Sequence, residues 1–258
     1  MRLLALDSSA ASCSVALWED RQEEATSPVV AHDCKPMERG QSETLIPMVK
    51  FVMDEAGWTF EDIDRLGVTV GPGSFTGVRI GLAAARGLAL ARGLPLVGVT
   101  SLEAIAIEAR AEGGGEDNDG DILPPDSLLV TLSAGRSDLY FQMFSRNENQ
   151  DQAFPWQPAG PPGSAMPEEV PGHLPEKGLV LIAGNGASLI RHVLASEARA
   201  GSGCQIVYGD GPGLPDAAAV AVIAAGRDPE APESGSAPLY IHPHYARLPQ
   251  SKAKEGAV

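Results

Sequence analysis

The sequence predicts an α/β protein built on a mixed sheet. Three observations carry that prediction. Apolar runs at residues 3–7, 13–18 and 29–31 precede the first helical periodicity, and after them helix, strand, helix and strand alternate up to residue 99. The second half repeats the scheme, with paired runs first and alternation afterwards, so the two halves read as topological copies, the second slimmer. The 258 residues are 43% hydrophobic but only 5% aromatic, which calls for a core of small aliphatic side chains.

Each element follows from local pattern. Residues 3–7 and 13–18 flank the hydroxyl-rich stretch 8–12 and read as a hairpin, with a third strand at 29–31. A helix is expected over 42–56, a strand over 66–70, a helix over 74–92 and a strand over 95–99. Residues 111–126 hold six acids and no base among Gly and Pro, the composition of a linker or exposed loop. Strands follow at 128–132 and 139–144, then a Pro-rich surface excursion over 145–177. A strand at 179–183, a helix at 187–200, a strand at 205–208 and an alanine-rich helix starting near Asp216 complete the chain. The expected organisation is an N-terminal lobe at 1–108, an acidic linker at 109–126 and a smaller C-terminal lobe at 127–258.

The two N-terminal helices differ in character. At 100° per residue, Leu45, Met48, Val49, Val52 and Ala56 share one arc, widened by Ile46 and Met53, while Phe51 lies off it beside Asp54 and Glu55. Pro47 requires this helix to begin late or to kink. In the second helix Phe75, Val78, Leu82, Ala85 and Ala89 make one apolar face, and Gly77, Gly81, Ala84 and Leu88 an adjoining small one. Only Arg79 and Arg86 form a polar stripe, so the helix must be covered on more than one side. Its two interior glycines each cost about 1 kcal/mol of helix propensity, which close approach of another helix would offset. Composition alone favours a helix of the same chain over an intermolecular bundle.

Candidate chemistry is sparse. The segment from Gly71 to Gly77 (GPGSFTG) joins a strand to a helix. Gly71 and Gly73 permit tight turning, Ser74 can cap, and free N–H groups there suit an anion, although a purely structural turn fits as well. No Gly-Lys-Ser/Thr follows, so it is not a Walker P-loop. Asp7, Ser8 and Ser9 end the first strand and suit a nucleotide phosphate or metal-bound water; the plainer alternative is a carboxylate bonded to its own loop. His242-Pro243-His244 lacks an acid cluster for zinc, His32, His173 and His192 are scattered, and Gly184-Asn185-Gly186 reads as a turn.

A net charge of −15 opposes direct binding to a phosphate backbone, so nucleic acid would have to be brought by a partner. Cys13, Cys34 and Cys204 form neither a disulfide framework nor a metal spacing, which suits a reducing compartment. Asp7 interrupts the first apolar run too early for an export signal, and residues 77–96 carry Arg79, Arg86 and Arg92, so neither export nor membrane insertion is expected.

Residues 4–9 (LALDSS), 13–16 (CSVA), 42–48 (SETLIPM), 71–81 (GPGSFTGVRIG) and 95–103 (PLVGVTSLE) resemble the bacterial TsaB (YeaZ) family. The match is close to about residue 105 and thins to Asp138-Leu139-Tyr140, Gly184-Asn185-Gly186, Pro238-Leu239-Tyr240 and Tyr245-Ala246-Arg247. The resemblance implies a two-lobed actin/hexokinase/Hsp70-like (ribonuclease H-like) fold with a reduced second lobe. It also implies a noncatalytic, cytoplasmic scaffold for TsaD in threonylcarbamoylation of the adenosine beside the anticodon of tRNAs reading codons that begin with A. TsaE joins through the complex, tRNA is met only through the complex, and the isolated chain is open to homodimerisation.

By that resemblance the partner interface is a helical bundle, here assigned to Leu45, Met48, Val49, Phe51, Val52, Gly77, Gly81, Ala84 and Leu88. No intrinsic cofactor or metal is expected, with ATP or ADP open at the partner interface. TsaD's H-x-x-x-H metal pair corresponds here to Gln41 and Leu45, neither a good iron or zinc ligand. Where the family has Asp-Ala-Arg after Leu132, this chain has Ser133-Ala134-Gly135 and then Arg136. The alternative function is an ATP-binding enzyme of the same fold, kinase-like or a carbamoyltransferase.

Overall fold

In the computed structural model, residues 1–20, 27–110, 115–116, 122–135, 138–147, 154–199, 203–211 and 213–241 are described. Strands β1 (Arg2–Asp7), β2 (Ser12–Glu19) and β3 (Val29–Pro36) form an antiparallel meander. Helix α1 (Gln41–Ala56) leads to β4 (Arg65–Thr69), and α2 (Phe75–Arg92) to β5 (Leu96–Val99). Both new strands run parallel to β1, giving the order β3-β2-β1-β4-β5. Strand alternation divides the core. Leu4, Leu6, Val15, Leu17 and Val68 pack with α1 and α2, whereas Leu3, Ala5, Ala16, Val97 and Val99 face the opposite side.

Helix α3 (Ser101–Glu108) and a small hairpin, β6 (Gly115–Glu116) with β7 (Ile122–Leu123), precede the second sheet. That sheet holds β8 (Ser127–Ser133), β9 (Leu139–Arg146), β10 (Trp156–Pro158), β11 (Gly163–Ala165), β12 (Leu179–Ala183) and β13 (Gln205–Tyr208). Its order, β10-β9-β8-β12-β13 with β11 also on β9, reproduces the first sheet strand for strand. The predicted topological copy is therefore present. Helix α4 (Ala187–Arg199) separates β12 from β13, and α5 (Ala217–Gly226) follows with Asp216 as its N-cap.

Four local expectations need correction. The third strand is eight residues long rather than three. Helix α1 starts at Gln41 and runs through Pro47, whose ring sits on the exposed face and so disturbs no core packing. The stretch 145–177 is no mere excursion, because β10, β11 and a 3-10 turn at Pro167–His173 bury Trp156, Ala165 and Val170 in the second core. Helix α3 was missed. Its signal was the capping box Thr100-Ser101-Leu102-Glu103: Thr100 N–H and Oγ1–H each donate to Glu103 Oε2 at 2.9 Å, while Glu103 N–H donates to Thr100 Oγ1.

The halves exchange helices. Helix α3 buries Leu102, Ile105 and Ala106 with Leu128, Val130 and Leu132 of the second sheet. In return α5 lays Ala217, Val220, Ala221 and Ala224 on the first sheet, whose Gly67 lets it approach closely: a Cβ there would lie 3.0 Å from Ala224 Cβ. Arginines fasten its C-terminal end. Arg65 Nη1 donates to the carbonyls of Ala224 (2.8 Å) and Arg227 (2.7 Å). Arg227 Nη1 donates to Gly98 O at 3.0 Å, and its Nη2 pairs with the Glu103 carboxylate. Replacing Arg227 by Met is expected to cost about 2–3 kcal/mol, somewhat below the loss for a fully buried pair, read as a lowered midpoint in urea unfolding.

Candidate functional site

The glycine-rich turn after β4 and the Ser8–Ser9 turn after β1 lock into one another. Ser74 N–H donates to Ser9 O at 2.7 Å, and Ser8 Oγ–H donates to Gly77 O at 2.9 Å. A Cβ at Gly73 would stand 2.1 Å from Ser9 O, one at Gly77 2.1 Å from Ser8 O, and one at Gly81 2.8 Å from Ser8 Oγ. The offset for the helical glycines is thus close packing against a loop of this chain, and the expected neighbouring helix is not what covers them. Ser74 also caps α2, its Oγ accepting from Gly77 N–H.

Asp7 sits beneath this junction, fully buried. Its Oδ1 accepts from Thr69 Oγ1 (2.5 Å), Ser9 Oγ (2.7 Å) and Ser9 N–H (3.1 Å), while Oδ2 has no partner. Ser9 Oγ also lies 2.8 Å from Ser101 Oγ at the start of α3. Burial pushes the carboxyl up to about 6 against the pull of these donors. The plainer reading of the strand-end acid, bonded to its own loop, describes most of what is seen.

A cleft of about 450 Å3 opens between the sheets beside this junction, lined by Ser9, Gly73, Ser74, Ser133, Asn185 and Glu38 among others. Asn185 Oδ1 accepts from Ser133 N–H, so the Gly184-Asn185-Gly186 turn buttresses β8. Among the described lining residues the only charged side chain is Glu38, of the same sign as a phosphate, and these residues do not fit a nucleoside triphosphate. No group of three or more His, Cys, Asp or Glu able to hold a metal occurs among the described residues. Arg136 and the His242-Pro243-His244 and Tyr245-Ala246-Arg247 segments lie outside them.

One ionic contact escaped sequence reasoning. His32 Nε2 on β3 meets Asp216 Oδ1 at 2.8 Å, and that oxygen also accepts Ala218 N–H at the start of α5. The hydrogen bond to Asp216 raises His32. Asp216 is lowered, since its bonds from His32 and Ala218 outweigh burial, the largest single influence and an opposing one. Glu108, beside a crevice of about 210 Å3 that also includes Asp210, is pushed up to about 7 by desolvation and by Asp216.

The predicted interface residues divide sharply. Leu45, Met48, Val49, Val52, Gly77 and Gly81 are buried inside this chain and present nothing to a partner, because their faces are those that clasp the first sheet and the Ser8–Ser9 turn. Ala84 and Leu88 are half-buried, and Phe51 is 51% exposed. The outward surface includes instead Ile46, Pro47, Lys50, Phe51 and Asp54 on α1, which line an open groove, and Thr76, Ala83, Gly87 and Leu90 on α2. Leu90 is 86% exposed, and Gly87 has nothing within 4 Å of where a Cβ would stand. Sequence periodicity found one apolar and one small-residue face on α2, but not that a loop would claim Gly77 and Gly81 or that Thr76, Ala83, Gly87 and Leu90 would face outward.

A family profile described as TsaD, tRNA N6-adenosine threonylcarbamoyltransferase, matches residues 35–155. The tRNA threonylcarbamoyladenosine biosynthesis protein TsaB of Escherichia coli K12 is 36% identical over 149 residues, 58% of this chain and 57% of its own length. Over the matched residues the chain is thus similar to proteins of the TsaB (YeaZ) family. A tRNA N6-adenosine threonylcarbamoyltransferase of Erythrobacter litoralis is 38% identical over 89 residues, 34% of this chain and 26% of that protein. The alignments thus span little more than half of the curated TsaB relatives. The solved YeaZ of Pseudomonas aeruginosa aligns over 93% of this chain and 99% of its own, with a TM-score of 0.67 at 24% identity, so the two share a fold. Among the described residues no helix is long and apolar enough to cross a membrane.

Two outcomes test this geometry. Asp7 and Glu108 are raised and His32 is raised, so the folded state holds extra protons. The stability from Asp7 is fully present below about pH 4 and is lost as pH climbs through about 6; that from Glu108 is lost through about 7, and that from His32 above its ordinary value. The thermal midpoint should therefore fall between pH 5 and 8, and Asp7→Asn should remove about 1.4 kcal/mol of the accompanying loss of stability. Separately, Gly77→Ala should lower stability by at least about 2 kcal/mol in denaturant titration, because helix propensity alone would raise it.

Proposed function

We propose that this protein is a noncatalytic partner of TsaD in the synthesis of tRNA threonylcarbamoyladenosine, docking through the outward faces of α1 and α2. The observation that carries the reading is the uncovered apolar surface on these two helices: Ile46 and Phe51 are each 51% exposed beside the small stripe ending in Leu90. Monomeric proteins rarely leave neighbouring large apolar side chains uncovered without a binding role. Small residues on α2 let a partner helix come close, and Phe51 supplies an aromatic anchor. The names of the relatives supply the pathway.

The cleft supports a scaffold more than an enzyme. Asp7, close to it, has one oxygen held by the chain's own hydroxyls, and the described lining of the cleft offers a phosphate no cation. TsaE and tRNA then meet this chain through the TsaD complex, and self-association of the isolated chain uses the same surface.

The test is co-elution with purified TsaD followed by a threonylcarbamoylation assay on tRNA. Gly87→Arg, which fills open space without touching the core, should weaken TsaD binding at least about tenfold while leaving the thermal midpoint within about 2 °C. Undiminished co-elution of that variant, or steady ATP turnover by the chain alone, would overturn the reading.

A further inference from the structure

We infer that Phe75, Arg79 and Tyr240, with Arg86 one stretch further along α2, form a carboxylate-reading anchor for an acidic segment of the protein that docks on the α1–α2 face. The inference rests on the docking reading above and adds the chemistry of the occupant.

Arg79 is held in place from two sides. Its guanidinium carbon lies 3.5 Å from the centre of the Phe75 ring and 5.7 Å from that of Tyr240, and its Nε donates to Tyr240 Oη at 2.9 Å. The two rings lie 5.6 Å apart, and Phe75 is 57% and Tyr240 46% exposed. Tyr240 belongs to a C-terminal strap. Leu239 N–H donates to Val70 O at 2.7 Å, and Leu239 O lies where a Cβ at Gly71 would come within 2.9 Å. The same strap accepts Arg86 Nη2 at Ser236 O, 2.7 Å. Arg79 is exposed, and these contacts hold its planar guanidinium in one place.

Neither arginine meets an acid among the described residues, in a chain of net charge −15. Uncompensated positive charge on so acidic a surface is complementary to carboxylates. Seven residues separate the two, about 10 Å along the helix axis. At 100° per residue they border the exposed Thr76–Ala83–Leu90 stripe, so the charges are continuous with apolar surface. That combination suits a protein helix carrying two acids beside an apolar edge. A nucleic acid backbone gains nothing from the apolar part and is repelled by the rest of the chain.

The test measures TsaD affinity at about 50 and about 300 mM salt for the parent chain and for Arg79→Gln, Arg86→Gln and Arg79→Lys. The expected result is tighter parent binding at low salt, about tenfold weakening by each Gln variant, a shallower salt dependence, and partial recovery with Lys. Should Arg79→Gln fail to fold, Tyr240→Phe removes one hydrogen bond from the fork and should weaken binding by a smaller factor. Unchanged affinity and salt dependence in the arginine variants, while Gly87→Arg still breaks the complex, would overturn the anchor and leave the docking reading standing. Effects confined to tRNA retention, or to self-association, would also overturn it. A parent chain that does not bind TsaD at all removes both.

Discussion

Ser8 and Ser9 lie so close beneath α2 that side chains at Gly73 and Gly77 would collide with their carbonyl oxygens. This contact sets the angle at which α2 leaves the sheet. Once α2 is pressed onto the turn, Val78, Leu82 and Ala85 fall onto the first sheet and the helix's third side is turned to solvent. The same turn supplies Ser9 to Asp7 and to Ser101, so the start of α3 is registered against β1 through one hydroxyl. Helix placement, buried acid and outward face all descend from one short loop.

Burying Asp7 is unfavourable in its charged form, and three donors on one oxygen offset only part of that. An acid in this position would have to reach solvent or a cation to work on a ligand. Here it faces Thr69 and its own loop, and its energetic effect is a stability that declines toward alkaline pH. His32 and Glu108 add to the same slope near the N-cap of α5, where Asp216 ties β3 to the returning helix.

Periodicity revealed most of the fold because the short strands and the two long helices obey local rules. Residues 3–7, 66–70 and 179–183 are apolar runs closed by polar or glycine residues, and each is a strand within one or two positions. What escaped was non-local. Trp156 and Val170 are core residues inside a Pro-rich stretch whose composition resembles a loop: pairing with β9 places Trp156, and packing with Ile190 and Leu194 of α4 holds Val170. Gly77 and Gly81 were recognised as a close-approach surface, yet the approaching group is 69 residues away for Gly77 and is a turn, not a helix. His32 and Asp216 are far apart in the chain, and neither neighbourhood hints at the other. The site was therefore legible as motifs and illegible as directions.

The exchanged helices limit what the cleft can do. Swinging the two sheets apart would part α5, which lies on the first sheet, from α3, which packs on the second. It would also break Arg227, at the end of α5, from Glu103 of α3. Breaking so sheltered an ion pair costs about 2–3 kcal/mol, several times thermal energy. A fold that acts by closing over a ligand needs a hinge that moves at small cost, whereas this one spends its packing on holding the halves together. Rigidity of that kind suits a surface presented to another subunit, since a preordered face loses little conformational entropy when it is covered.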